Sequence, residues 1–66
     1  MNGTVSWFDA RTGSGVISPD DGSADVSVHY TQIDGGGRQS LRAADRVSFT
    51  PADGPDGPTA TRVFLP

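Results

Sequence analysis

The stretch from Ser14 to Tyr30 reads SGVISPDDGSADVSVHY and contains the clearest secondary-structure pattern in the chain. In its second half, Val26 and Val28 alternate with polar residues, which is the period of a strand that buries one face. The PDDG segment at 19–22 has the composition of a tight turn, with Pro fixing one φ and Gly accepting a positive one. The stretch therefore predicts a hairpin of two strands, at about 14–19 and 25–30.

Outside this hairpin, Gly and Pro separate three further extended segments, at about 3–9, 46–51 and 60–66. Residues 31–45 read as a long loop anchored by Leu41, and residues 53–58 read as a rigid turn. The chain lacks Lys and Glu, and its nine Gly and five Pro dilute the helix formers that remain. These features predict an all-β fold, and short strands with close turns favour a small barrel, because closure removes exposed strand edges. At 66 residues we expect one domain, 1–66.

The composition also restricts the classes of function. There is no Cys, which excludes disulfides and thiolate metal sites and favours a cytoplasmic protein. No apolar run exceeds three residues, so we expect neither a membrane span nor a signal peptide. The net charge of −3 has the wrong sign for a protein whose affinity rests on neutralising phosphates.

Catalytic and metal-binding patterns are weak. His29 is the only general base near neutral pH, and no Cys or second His accompanies it. Asp20 and Asp21 stand between Pro and Gly and are better explained as turn formers. Asp53 and Asp56 lack the bidentate Glu of a calcium loop. The GSG segment at 13–15 precedes no helix that could bind phosphate, so it reads as strand glycine. We therefore expect no enzyme activity, no metal and no cofactor.

Four ring-bearing side chains fall in two strands that we expect to be neighbours: Trp7, Phe8, His29 and Tyr30. Strict alternation from Val5 turns Trp7 toward the core unless a β-bulge intervenes. The residues alone therefore slightly favour a buried Trp7, and for Phe8 they leave core packing and surface exposure equally open.

The segments VSWFDARTGSGVI, DVSVHY, IDGGGRQSL and DGPTATRV resemble the bacterial cold shock proteins over the whole chain. This resemblance implies a five-stranded antiparallel OB-fold barrel that binds single-stranded RNA or DNA. It places Trp7 on the binding surface despite the alternation. It assigns nucleic-acid contact to Trp7, Phe8, Ser14, Val16, Ser27, His29, Tyr30 and Arg38, with Arg11 near them.

The chain departs from the family pattern mainly in the binding motifs. Four positions where the family usually has Phe hold Ser14, Val16, Ser27 and Arg38, and three where it usually has Lys hold Thr4, Ser6 and Thr12. The residues that fill the barrel are retained: Val5, Ile17, Val26, Val28, Ile33, Val47 and Val63.

These departures predict a monomeric barrel that binds single strands weakly and with little sequence preference, by stacking more than by charge. Arg11 and Arg38 are expected beside the stacking face, whereas Arg42, Arg46 and Arg62 read as solvated surface charges. The alternative is a barrel that has lost nucleic-acid binding and serves as a protein-interaction module or a swapped dimer. The acidic pI, the serine substitutions and the triple glycine at 35–37 favour that alternative.

Overall fold

The computed structural model describes residues 1–33, 41–55 and 57–65, and it contains five β-strands. They are β1 (Asn2–Asp9), β2 (Ser14–Pro19), β3 (Val26–His29), β4 (Arg46–Gly54) and β5 (Gly57–Phe64). The strands form a closed barrel in the order β1, β2, β3, β5, β4. The predicted all-β, five-stranded barrel is thereby confirmed. No helix in the described ranges is long and apolar enough to cross a bilayer.

One contact in the barrel is parallel. The pairs β1/β2, β2/β3, β1/β4 and β4/β5 are antiparallel, whereas β3 and β5 run parallel and meet at Ser27 and Thr59. The sequence predicted an antiparallel barrel, and the β3/β5 pair is the exception. The reason is topological, because the β4/β5 hairpin returns β5 along the open edge of β3.

The core consists of the side chains that alternation and resemblance predicted, with a few additions. Val5, Ile17, Val47 and Val63 are almost inaccessible to solvent, and Val26 and Val28 are buried beside them. Ile33 is only partly buried and packs against the edge of this cluster. The further core members are Leu41, Phe49 and Ala60. Leu41 therefore anchors the connection between β3 and β4, as predicted.

Three element boundaries in the structure differ from those predicted from the sequence. The third strand ends at His29, and Tyr30 begins a short 3-10 turn that runs to Gln32. The fourth strand continues past Pro51 to Gly54. Pro51 is tolerated because β1 pairs with β4 only as far as Ser48, which leaves one side of β4 without a ladder to interrupt. The turn expected over 53–58 is tighter, since Gly54 already pairs with Gly57.

The predicted turn at 19–22 is present and is tied to β4 by an ion pair. The Gly22 N–H donates to the Pro19 carbonyl at 3.3 Å, and Gly22 has a φ of +81°. The Arg46 guanidinium donates two hydrogen bonds to the Asp20 carboxylate, one of them at 2.7 Å, and a third to the Thr4 hydroxyl at 2.9 Å. Arg46 is therefore not the freely solvated charge that the sequence suggested. It joins the end of β2 to the start of β4.

This ion pair predicts a pH dependence of stability. Hydrogen bonding from Arg46 lowers the pKa of Asp20 below its ordinary value of 3.8, and the Ser23 hydroxyl lowers the pKa of Asp21 in the same direction. A carboxyl with a lowered pKa stabilises the fold above its unfolded pKa, and that stabilisation is lost as the pH falls through the folded value. We expect the free energy of unfolding in urea to fall below about pH 4, and Asp20→Asn to remove part of that fall.

Asp53→Asn is the control, because the described residues contain no ion-pair partner for Asp53. A second control is Asp20→Asn in an Arg46→Gln background, where it should change little. An equal effect of Asp20→Asn in both backgrounds would contradict the assignment to this pair.

Candidate nucleic-acid interface

A row of four side chains crosses the outer face of four neighbouring strands. Trp7 on β1 pairs with Val16 on β2, Val16 pairs with Ser27 on β3, and Ser27 pairs with Thr59 on β5. Residues in register across a sheet lie on the same face, so these four side chains share one surface. Ser14 pairs with His29 and forms a second row beside the first.

Trp7 reaches this surface through a β-bulge. Val5 pairs with Ile17 and Trp7 with Val16, so the ladder between β1 and β2 contains one extra residue on β1, which is Ser6. The extra residue breaks the alternation, and Val5 is buried while Trp7 is 51% exposed. The burial of Trp7 that strict alternation favoured is therefore wrong. The surface position implied by the resemblance is the one observed.

The two rows line an open groove of about 460 Å³. That volume falls within the range of about 300–1,000 Å³ that is typical of ligand sites. The groove brings together five of the predicted contact residues: Trp7, Ser14, Val16, Ser27 and His29. The side chains between Trp7 and His29 are small. The groove is therefore deeper at the positions where the family pattern described above has aromatic rings.

The remaining predicted residues lie elsewhere. Phe8 is partly buried and packs on the core, with its ring beside Gly15, where a Cβ would come within 2.7 Å of the Phe8 Cδ2 atom. A contact between Phe8 and a ligand in the groove is therefore not supported. Arg11 and Tyr30 line a separate shallow pocket with Ala10, Thr12 and Gly13. Arg38 lies outside the described residues.

Tyr30 connects this pocket to the groove. The rings of His29 and Tyr30 are 4.6 Å apart between centroids and are inclined at 42°. The Tyr30 N–H donates to the Gly13 carbonyl at 2.8 Å, which fixes the start of the 3-10 turn against the β1/β2 connection. Gly13 has a φ of +72°, and a Cβ on Gly13 would collide with the Tyr30 ring. Gly13 is therefore a turn residue that makes room for Tyr30, and not the strand glycine that was expected.

His29 is oriented by its own chain. Its Nδ1 lies 3.0 Å from the Thr31 hydroxyl oxygen and accepts a hydrogen bond from the Thr31 N–H at 3.4 Å. These contacts occupy Nδ1, so Nε2 is the ring nitrogen left to meet a ligand. The ring is exposed at the mouth of the groove.

The sequence reasoning missed one side of the groove. Thr31, Gln32, Thr59 and Thr61 also line it. Thr31 and Gln32 directly follow His29, so their position was a signal that could have been used. Thr59 and Thr61 reach the groove only because β5 pairs with β3, and no local pattern encodes that contact.

Formal charge is sparse at this surface. Among the described residues, no Asp or Arg lines the groove, and Arg11 in the neighbouring pocket has a side chain that is 91% exposed, 3.7 Å from the Asp9 carboxylate. An exposed ion pair of this kind is weak and leaves the guanidinium accessible to solvent. The described residues contain no cluster of three or more His, Asp or Glu side chains that could hold a metal ion. The polar and ring-bearing side chains at this surface are aromatic rings, hydroxyl groups and the amide of Gln32.

Comparison with known proteins identifies related sequences. The family model for the 'Cold-shock' DNA-binding domain matches residues 1–66. The probable cold shock protein A of Mycolicibacterium smegmatis is 52% identical over 61 residues, which make up 92% of this chain and 91% of that protein. The major cold shock protein of Micrococcus luteus is 51% identical over 61 residues, with the same two coverages of 92% and 91%.

The fold is also shared with a more distant structure. The solved structure of drosophila Unr CSD456 superposes with a TM-score of 0.78 over 98% of this chain, at 22% identity. This chain spans 26% of that one, so the likeness concerns the fold of a single domain. The chain described here belongs to the cold-shock family, a family of nucleic-acid-binding, non-enzymatic proteins.

The contact between Gly13 and Tyr30 makes a testable prediction. Gly13→Ala introduces a Cβ into a left-handed residue and against the Tyr30 ring, whereas Gly22→Ala meets the same backbone penalty with no atom within 4 Å. The backbone penalty is about 1–2 kcal/mol in each variant. We expect Gly13→Ala to lower the free energy of unfolding in urea by about 1 kcal/mol more than Gly22→Ala, because it adds overpacking. Equal losses in the two variants would show that the Tyr30 ring is not held against Gly13.

Proposed function

We propose that the groove binds a short run of single-stranded RNA or DNA, weakly and with little sequence preference along the strand. The observation that carries this proposal is the row from Trp7 to Thr59, which places an exposed indole at one end of a continuous open groove. Trp7, His29 and Tyr30 serve as stacking surfaces, while Ser14, Val16 and Ser27 form the floor. In keeping with its family, the protein would act in the cytoplasm as a monomer without a cofactor or a metal.

The weakness follows from the size of the floor residues. Each base stacked on an aromatic side chain contributes about 1–3 kcal/mol, and Ser14, Val16 and Ser27 supply no ring. All three side chains lie at least partly open to solvent, so they have no compensating role in the core. The stacking that remains comes from Trp7 on β1 and from His29 and Tyr30 at the end of β3.

Charge contributes little in this proposal. Of the Arg residues in the described ranges, Arg46 is paired with Asp20, and Arg11 lines the pocket that contains the Tyr30 ring. About one or two phosphates would then be neutralised. For a single strand, the slope of log K against log salt is roughly −0.7 per phosphate contact, so we expect a slope of about −1.

Titration of the protein with a labelled pyrimidine-rich oligonucleotide tests this function. We expect measurable binding at low salt, quenching of Trp7 emission, and a loss of about tenfold or more on Trp7→Ala and on His29→Ala. Phe64→Ala is the matched control, because Phe64 is a comparably exposed ring that does not line the groove. Unchanged emission at millimolar oligonucleotide would favour the protein-interaction module instead. A slope steeper than about −3 would reveal a basic surface that includes Arg42 or Arg62.

Restoring the missing rings supplies a gain-of-function test. The triple variant Ser14→Phe, Val16→Phe and Ser27→Phe should bind single strands about 100-fold more tightly or better, at about 1–3 kcal/mol for each regained stacking surface. Its free energy of unfolding should change little, since these side chains face outward. Ser18→Phe is the control, because Ser18 is exposed on β2 but does not line the groove. A triple variant that binds no better would refute the assignment of this face.

A further inference from the structure

Among the described residues, His29 is the only side chain lining the groove whose type changes charge between about pH 5 and about pH 8. The other lining residues are glycine, apolar residues, hydroxyl-bearing residues and Gln32. With a neutral imidazole the described lining carries no cation that could meet a phosphate. Protonation of this one ring would make the lining positive, although the protein as a whole has a net charge of −3.

The contacts of the His29 ring are compatible with both of its charge states. Nδ1 lies 3.0 Å from the Thr31 hydroxyl oxygen. A hydroxyl can donate to an unprotonated ring nitrogen or accept from a protonated one, so this contact serves the neutral ring and the imidazolium alike. The contact from the Thr31 N–H to the same nitrogen is long, at 3.4 Å, so little is lost when the nitrogen gains a proton.

The imidazolium can stack and donate at the same time. Both of its nitrogens carry protons, and Thr31 occupies only Nδ1, which leaves Nε2–H to donate to an anion. This N–H bond lies in the plane of the ring. A base that stacks on the ring face therefore does not block it, and the phosphate backbone of the same oligonucleotide can reach it at the ring edge.

Carboxylates of the described residues do not pair with the His29 ring. His29 pairs with Ser14 on β2, and Ser14 pairs with Asp9, so Asp9 lies two strands away in the same row. Two strand spacings amount to about 10 Å, roughly the Debye length at 0.1 M salt, so this interaction is largely screened. The Arg11 guanidinium, 3.7 Å from the Asp9 carboxylate, weakens it further.

The other elements around His29 bring no carboxylate against it. The 3-10 turn contributes Tyr30, and a tyrosine phenol is uncharged near neutral pH. On β5, which runs parallel to β3, Thr61 lies beside His29, and the only charged residue of this strand is the cation Arg62. Strand β2 contains no charged residue. A phosphate that binds the imidazolium therefore displaces no carboxylate of these elements.

We propose that His29 is a protonation-dependent phosphate contact, so that single-strand binding tightens as the pH falls from about 8 to about 5.5. The inference rests on the proposed function, because an oligonucleotide must lie in the groove for its phosphate to reach Nε2. The phosphodiester is ionised throughout this range, so only the imidazole changes charge in the contact. Hydrogen bonds between a charged donor and phosphate are shorter and stronger than neutral ones. The proton therefore adds one phosphate contact to a groove whose affinity otherwise comes from stacking.

The test is a titration of the intact protein with oligodeoxythymidine at about pH 8 and about pH 5.5, at constant ionic strength. Thymine does not titrate in this range, and the lowered pKa of Asp20 keeps its ion pair with Arg46 intact at the lower pH. We expect about fivefold tighter binding at the lower pH, the size of one exposed charge contact. The slope of log K against log salt should steepen from about −1 to about −1.7.

The central variant is His29→Phe, which keeps an aromatic surface for stacking but cannot be protonated. Its affinity should be the same at both pH values, and His29→Gln replaces it with the same expectation if it does not fold. Trp7→Ala is the matched control, because it should weaken binding at both pH values while the fivefold ratio remains. Oligodeoxythymidine with uncharged methylphosphonate linkages should bind without a pH dependence.

The outcomes separate this inference from the function on which it rests. Equal affinity of the unaltered protein at both pH values would overturn the inference and leave the proposed function intact. A pH dependence that survives in the His29 variant, or that persists with uncharged linkages, would overturn the assignment to a phosphate contact of His29. Absence of binding at both pH values would overturn the inference and the proposed function together.

Discussion

The contact between β3 and β5 at Ser27 and Thr59 is the constraint on which the rest of the molecule depends. A chain of this size can bury few large side chains, and an open sheet made of them would leave two edges exposed. The parallel contact closes the sheet, so Val28, Ala60 and Val63 become parts of one core. Because of this contact, the outer surface of the sheet continues from β3 onto β5. The groove therefore crosses β1, β2, β3 and β5 instead of ending at an edge of β3.

Two interruptions of regular pairing then fix which residues face outward. The extra residue at Ser6 turns Trp7 out of the barrel while Val5 remains inside. A register shift between β4 and β5 coincides with Arg62, whose φ is +51°, and next to it Val63 is fully buried. On β1 the extra residue lets the strand change from a buried side chain to an exposed one, and on β5 it keeps both Ala60 and Val63 inside the barrel. This is the usual role of bulges in small barrels.

These interruptions also explain how far the sequence could be interpreted. Alternation correctly predicted the inward valines of β3, because that strand is regular and each face meets a single environment. It was wrong for Trp7, since a bulge depends on the partner strand and leaves no local mark. Pro51 was expected to end β4, but only the pairing partners show that its free side tolerates a proline. The groove residues on β2 and β3 were predicted through the resemblance, whereas Thr59 and Thr61 required the closed topology.

The β4/β5 hairpin extends beyond the part of β4 that pairs with β1, and it carries a proline on each strand, Pro51 and Pro58. A projecting two-stranded ribbon is a template on which another polypeptide can add a strand, the first step of edge-to-edge aggregation. Proline has no N–H to offer such an incoming strand and cannot be accommodated in the middle of a growing sheet. The two prolines therefore give this ribbon resistance to fibril formation.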